Sequence, residues 1–198
     1  MTERDGSRRE AKPPDNSTEH ELMESAVLRD TRQVVEGEGV HALLVGDLTE
    51  ADLTRISWSG GPSHPKYVAE ALQRRSQGEA DYLAVRAPNG WPVSIGGIAY
   101  RGKEGDGTLW QLATHPKLRG LGIGSRLIAE AENRIKMRGL EWARLGVEDD
   151  NRRARALYER LSYEVCGREQ QSWDQVDEKG EVRTYHAEVT LMKKHLAD

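Results

Sequence analysis

Arg119-Gly120-Leu121-Gly122-Ile123-Gly124 lies between a strand-like run, Thr108 to His115, and a segment of helical periodicity. Three glycines within five residues let successive backbone N–H groups approach an anion, and a helix start adds roughly half a positive charge at the same place. A phosphate or diphosphate is the group that such a loop accommodates. Spacing excludes two common phosphate loops. No Gly-Lys-Ser/Thr is present for a Walker loop, and a dinucleotide fingerprint begun at Gly120 would need glycine where Ser125 stands. Without a ligand, the glycines would serve only a tight turn and close helix packing. What remains as a motif is Arg119-x-x-Gly122-x-Gly124.

Downstream stands Asn151-x-x-Ala154-x-x-Leu157-Tyr158-x-x-x-Ser162-Tyr163. The two segments, in this order, resemble the coenzyme A diphosphate loop and the second signature of the GNAT superfamily, the Gcn5-related N-acetyltransferases. The resemblance covers about residues 40 to 193. It implies an α+β fold with a mixed, mostly antiparallel central sheet and helices on both faces. It also implies a V-shaped opening between the strand of Leu112 to Thr114 and the strand of Trp142 to Val147, which admits the pantetheine arm. By the same resemblance, backbone groups of Leu112 and Thr114 hold the pantetheine and polarise the thioester carbonyl. Amides from Gly120 to Ser125, Gly122 and Gly124 among them, bind the diphosphate, with Arg119 and Lys117 adding charge. Asn151 is either a helix cap or a cofactor contact, roles that are compatible.

The implied reaction is attack of an amine on the acetyl carbonyl of acetyl-CoA. An alkyl ammonium of pKa about 10.4 must lose about 3.4 units' worth of protonation at pH 7, roughly 4.6 kcal/mol, so a proton acceptor helps. The departing thiolate (thiol pKa about 8.5) takes up a proton, and a Tyr of pKa about 10 is still protonated to supply it. The resemblance makes Tyr158 that acid; by itself, a Tyr on the apolar face of a helix reads as core. The strand Thr108 to Thr114 carries no carboxylate where many relatives have one. Gln111 can position a water or substrate but cannot take a proton, which leaves His115, Glu148, Asp149 or a water chain as base.

These residues need a scaffold, and the remaining pattern outlines it. Residues 1–17 hold only Met1 and Ala11 as apolar side chains and read as a disordered tail. Thr18 and Glu21 have capping-box spacing, and an extra N-terminal helix with its linker follows over 18–39. The domain proper spans 40–198. It starts with a strand over His41 to Val45, a short helix capped by Thr49 and Asp52, and a second helix carrying Val68, Ala71 and Leu72 and ending by Gly78. Tyr82 to Val85 and Val93 to Tyr100 form a hairpin across Pro88-Asn89-Gly90, and Gly102, Gly105 and Gly107 reverse the chain into Thr108 to His115. Leu127, Ile128, Ala131 and Ile135 mark the helix after the glycine loop, Trp142 to Val147 a strand, and Ala154, Leu157, Tyr158 and Leu161 another helix. Val165 to Gln170 and Thr184 to Met192 end the chain as strands.

The length of 198 residues and a net charge of −4 suit one domain with an appendage and give no field that would draw nucleic acid or an anionic membrane. Arg152, Arg153 and Arg155 are interleaved with acids, as on a solvated helix face, with a cofactor phosphate as the second reading. Residues 170 to 190 have a local balance of −3 beside Trp173, which reads as a solvated loop or as a lip attracting a cationic amine. One cysteine, Cys166, permits no intrachain disulfide, no metal-binding spacing occurs, and no segment has the apolar length of a membrane span; a cytoplasmic protein without metal is expected. The expectation is therefore a cytoplasmic N-acetyltransferase using acetyl-CoA and a small-molecule (or protein) amine, with a homodimer compatible. The alternative is a non-catalytic acyl-CoA-binding module of the same fold. The acceptor walls are expected in Ile56 to Gly78 and Gln170 to Thr184.

Overall fold

Alternation on the strand Ala80–Arg86 sends Leu83 and Val85 to one face and Tyr82 and Ala84 to the other, all fully buried. A strand apolar on both faces needs cover on both, and the computed structural model, which describes residues 16–61, 64–100, 105–176 and 181–196, supplies it. Among the described residues the sheet has seven strands: β1 (Leu44–Asp47), β2 (Ala80–Arg86), β3 (Pro92–Ala99), β4 (Gly107–Thr114), β5 (Trp142–Glu148), β6 (Glu164–Val176) and β7 (Val182–His195). Their order is β1-β2-β3-β4-β5-β7-β6, antiparallel throughout except for the parallel pair β4–β5.

Helices α1 (Asn16–Glu38), α3 (Ile123–Met137) and α4 (Arg152–Arg160) cover one face, where Val27, Leu28, Leu127, Ile128 and Tyr158 join Leu83, Val85, Leu145 and Met192 in one core. Helix α2 (His64–Arg75) and a 3-10 turn over Glu50–Arg55 cover the other, packing Val68, Ala71 and Ile56 on Tyr82, Ala84 and Ile95. The expected α+β sheet with helices on both faces is the fold.

The turn after β1 is held as its sequence suggested. Asp52 accepts the Thr49 N–H and receives the Arg86 guanidinium on both oxygens at 2.9 and 2.8 Å. Burial works to raise the Asp52 pKa, but the hydrogen bonds from Arg86 and Thr49 outweigh it and the net shift is downward. Farther along, Asp47 and Asp81 meet Arg75 and Arg134, tying α2 and α3 to the same end of the sheet.

Some elements differ from expectation. Val40–Ala42 is a 3-10 turn, and the strand begins only at Leu44, because the N–H groups of Ala42 and Leu43 bond back to Gly39 and Val40. The N-terminal helix begins at Asn16, and β6 runs to Val176 in register with β7. The tail expected over 1–17 lies, up to residue 15, outside the described residues, as does Gly102 of the glycine reversal.

Burial also sets an alkaline limit on stability. The Tyr82 and Tyr163 hydroxyls are raised well above the ordinary value, chiefly by desolvation, and that of Tyr100 by desolvation and then by Asp81. An unfolded Tyr ionises near pH 10 while these stay protonated, so stability is complete below about pH 10 and is lost as pH rises from there. At pH 11, unfolding in urea should add tyrosinate absorbance at 295 nm; no added absorbance on unfolding would mean that the buried rings titrate normally.

Candidate active site

The pairing of β4 with β5 runs from Gly107↔Ala143 to Leu109↔Leu145 and stops, although β4 continues to Thr114 and β5 to Glu148. A bulge follows directly. Gln111 adopts φ 50, and Gln111 and Leu112 together oppose the single residue Gly96, with Gly97↔Trp110 before it and Ile95↔Ala113 after it. Two glycines make the bulge possible. A Cβ on Gly97 would lie 2.4 Å from the Trp110 ring and one on Gly96 2.5 Å from Leu112 Cδ2. Where the two strands part, a cleft of about 700 Å³ opens, walled by Leu112 to Thr114, by the loop and first turn of α3, and by α4.

The loop is prepared for an anion. Pro116–Leu118 forms a 3-10 turn, Gly120 and Gly122 take φ 90 and 81, and Gly122 caps α3 from the left-handed region. Among the described residues, the N–H groups of residues 120–125 have no hydrogen-bond partner; the first bond of the helix is Arg126 N–H to Gly122 O at 3.0 Å. Orphan amides of a first turn, with the helix dipole behind them, form an anion site. Gly120, Gly122, Ile123, Gly124 and Ser125 line the cleft. Arg119 also lines it, its Nε donating to the Thr114 carbonyl at 3.3 Å, while the Thr114 hydroxyl meets that of Ser94 at 2.9 Å.

The opposite wall is α4. The Asn151 side chain accepts the Ala154 N–H at 3.1 Å, so it is a helix cap, and it also borders the cleft. Tyr158, 7% exposed, sits at the cleft with its ring against the core. Burial pushes its hydroxyl pKa up to about 12, which keeps the proton in place at neutral pH.

Nine of the ten residues expected at the site thus border one cleft: Leu112, Thr114, Arg119, Gly120, Gly122, Gly124, Ser125, Asn151 and Tyr158. Gln111 does not. It is exposed, and its Oε1 accepts the Tyr82 hydroxyl at 3.2 Å, on the sheet face covered by α2. Of the candidate bases, His115 is 5% exposed, and both its ring nitrogens are engaged, Nε2 with Glu24 at 2.8 Å and Nδ1 with the Lys117 N–H. Asp149 accepts the buried Thr190 hydroxyl. Glu148, the last residue of β5, accepts the Tyr185 hydroxyl at 3.1 Å, and Tyr185 packs at a tilt against Trp173, 4.9 Å between centroids.

Further side chains belong to the cleft. Arg160 and Ser94 line it, as does Arg153, whose guanidinium lies 3.7 Å from the Cβ that Gly120 lacks. For Arg153 the only signal is its place in the first turn of the helix capped by Asn151, which a run of mixed charges conceals.

A model of the acetyltransferase (GNAT) family matches residues 50–163, which span α2 through α4 and the whole cleft. An acetyltransferase of Pectobacterium atrosepticum is 33% identical over 95 residues, 48% of this chain and 65% of the relative, so the chain spans just under two thirds of that relative's length. Among solved structures, the ribosomal-protein-S18-alanine N-acetyltransferase of Escherichia coli is similar with a TM-score of 0.60 at 17% identity, over 79% of this chain and 95% of that one. An aminoglycoside 6'-N-acetyltransferase complexed with coenzyme A is similar at 0.56 and 17%, over 78% and 98%. At such identities these two likenesses concern the fold.

Proposed function

The chain belongs to the acetyltransferase (GNAT) family, and from that premise we propose that it moves the acetyl group of acetyl-CoA to a primary amine of a small molecule or protein, by direct attack in a ternary complex. One observation carries this reading: a run of unpartnered amides at the start of α3 faces a cleft whose other wall presents a protonated Tyr158. An anion and a leaving group, at the two ends of one elongated ligand, are what these two features suit.

Residues 120–125 bind the diphosphate, and Arg119, Arg153 and Arg160 add positive charge at the same end. The pantetheine arm lies along Leu112 to Thr114, where β4 has no β5 partner. The amine nitrogen, once deprotonated, forms a bond to the acetyl carbon; the C–S bond breaks, the thiolate takes the Tyr158 proton, and the second nitrogen proton, released as the amide forms, returns to Tyr158 through water. The first proton that the ammonium loses passes to Glu148, directly or through water, beside Tyr185 at the end of β5. The acceptor enters beside Trp173 and Tyr185, where Glu148, Asp174 and Glu188 favour a cation.

Among the described residues no helix is long and apolar enough to cross a membrane, and the single cysteine is exposed and free. Action in the cytoplasm, without metal and with two copies pairing, completes the proposal.

Free-thiol release from acetyl-CoA, measured across a panel of amines with a no-amine control, tests the reading. Release that depends on particular amines is expected. No release from any amine, on protein shown to bind acetyl-CoA, would leave the binding-module alternative in its place.

A further inference from the structure

Helix α1 precedes the 50–163 region that carries the family match, yet it reaches the cofactor loop. Its apolar side, Val27 and Leu28, is buried in the main core, and Thr31 bonds back into the helix, to Val27 O at 2.7 Å. Its polar side makes two links to the turn between β4 and the glycine loop. Glu24 Oε1 is 2.8 Å from His115 Nε2, and Arg32 donates to the Lys117 carbonyl at 2.7 Å. Just after the helix, Val40 Cγ1 lies 3.7 Å from the position of a Cβ on Gly122, directly behind the cap of α3.

His115 is the hub. Its Nδ1 accepts the Lys117 N–H at 3.3 Å, which starts the turn over Pro116–Leu118 and leaves the proton on Nε2 to be donated to Glu24. The Trp58 ring, 5.3 Å away between centroids, packs on the imidazole. The turn so fixed is continuous with Arg119 and the free amides of residues 120–125. A loop that must present several N–H groups to one diphosphate binds more tightly when its conformation is set beforehand, because less ordering entropy is lost on binding.

We propose that α1 is part of the cofactor site, with Glu24 and Arg32 as positioning residues that preset the anion loop through the turn at 115–118. The proposal rests on the reading of that loop as the coenzyme A site. It predicts a split between binding and chemistry: the brace acts on the diphosphate end, while Tyr158 and the acceptor side stand on other elements.

The test uses the full chain and its Glu24→Ala, Glu24→Gln and Arg32→Ala variants, with coenzyme A affinity by calorimetry, melting temperature and steady-state kinetics. Glu24→Ala should weaken coenzyme A about tenfold and raise the KM for acetyl-CoA in step, with kcat and the acceptor KM within about twofold. Glu24→Gln should stay within about threefold of the parent, since its amide oxygen still accepts from His115 Nε2. Arg32→Ala, at an exposed side chain, should weaken coenzyme A about threefold with the melting temperature unchanged. Parental affinity in both alanine variants would overturn the proposal, as would Glu24→Ala losses in kcat as large as those in affinity. A parent protein that does not bind coenzyme A would instead overturn the reading of the loop itself.

Discussion

Tyr158→Phe should lower turnover by more than about tenfold and leave coenzyme A affinity within about twofold, because acid catalysis by a positioned side chain is worth about 10²–10⁴. The substitution removes one oxygen. The ring stays where it packs, against the core and 6.1 Å from Tyr163 between centroids, so the cleft keeps its shape. What goes is a proton held at the cleft by a hydroxyl that burial has pushed up to about 12. A thiolate leaving without that proton is a poorer leaving group, so the loss falls on kcat. Rates equal to the parent's, with thiol release still amine-dependent, would remove Tyr158 from the acid role and leave it as a wall of the cleft.

Gly122→Val should abolish measurable coenzyme A binding, a loss of at least about a hundredfold, for two reasons that act together. Gly122 has φ 81, a conformation that costs an L-residue roughly 1–2 kcal/mol and a β-branched one more. A Cβ there is already in van der Waals contact, 3.7 Å from Val40 Cγ1, and the two γ-methyls of valine extend beyond it at the cap of α3, so the first turn moves as the backbone strain is relieved. The orphan amides then lose their common aim. Gly122→Ala should fall between, with the smaller side chain and the same backbone cost. Calorimetry with coenzyme A, on protein shown by circular dichroism to be folded, reads both variants. Undiminished binding by the folded Val variant would take the diphosphate away from this loop.

The contrast between Gly122 and Gln111 shows what kind of information a sequence holds. Gly122 was legible because its neighbours form a local pattern: strand, glycines, then Leu127, Ile128, Ala131 and Ile135 at helical spacing. Gln111 has the same kind of backbone, with a positive φ, but nothing in Trp110-Gln111-Leu112 announces it. Its conformation is imposed across the sheet, where Gly96 and Gly97 yield space to Leu112 and Trp110. The bulge turns Gln111 away from the cleft and accompanies the end of pairing between β4 and β5.

His115 carries the same lesson over a longer distance. Beside Pro116 it has the look of a turn residue, and only the fold brings Glu24, 91 positions away in the chain, against its Nε2. His41 to Leu43 were expected in a strand and are not, for the opposite reason: a short apolar run satisfies a strand or a 3-10 turn equally, and backbone bonds to Gly39 and Val40 decided for the turn.

Local chemistry was determined by the sequence alone: the order of strands and helices, the glycine loop at a helix start, Asn151 as cap and Tyr158 on an apolar helix face, because caps, turns and periodicity are properties of adjacent residues. The tertiary structure alone decided where the sheet opens, that Glu24 meets His115, and that α1 stands behind the glycine loop. Those depend on residues that meet only when the sheet and its helices close around a shared core, and no local pattern encodes such meetings.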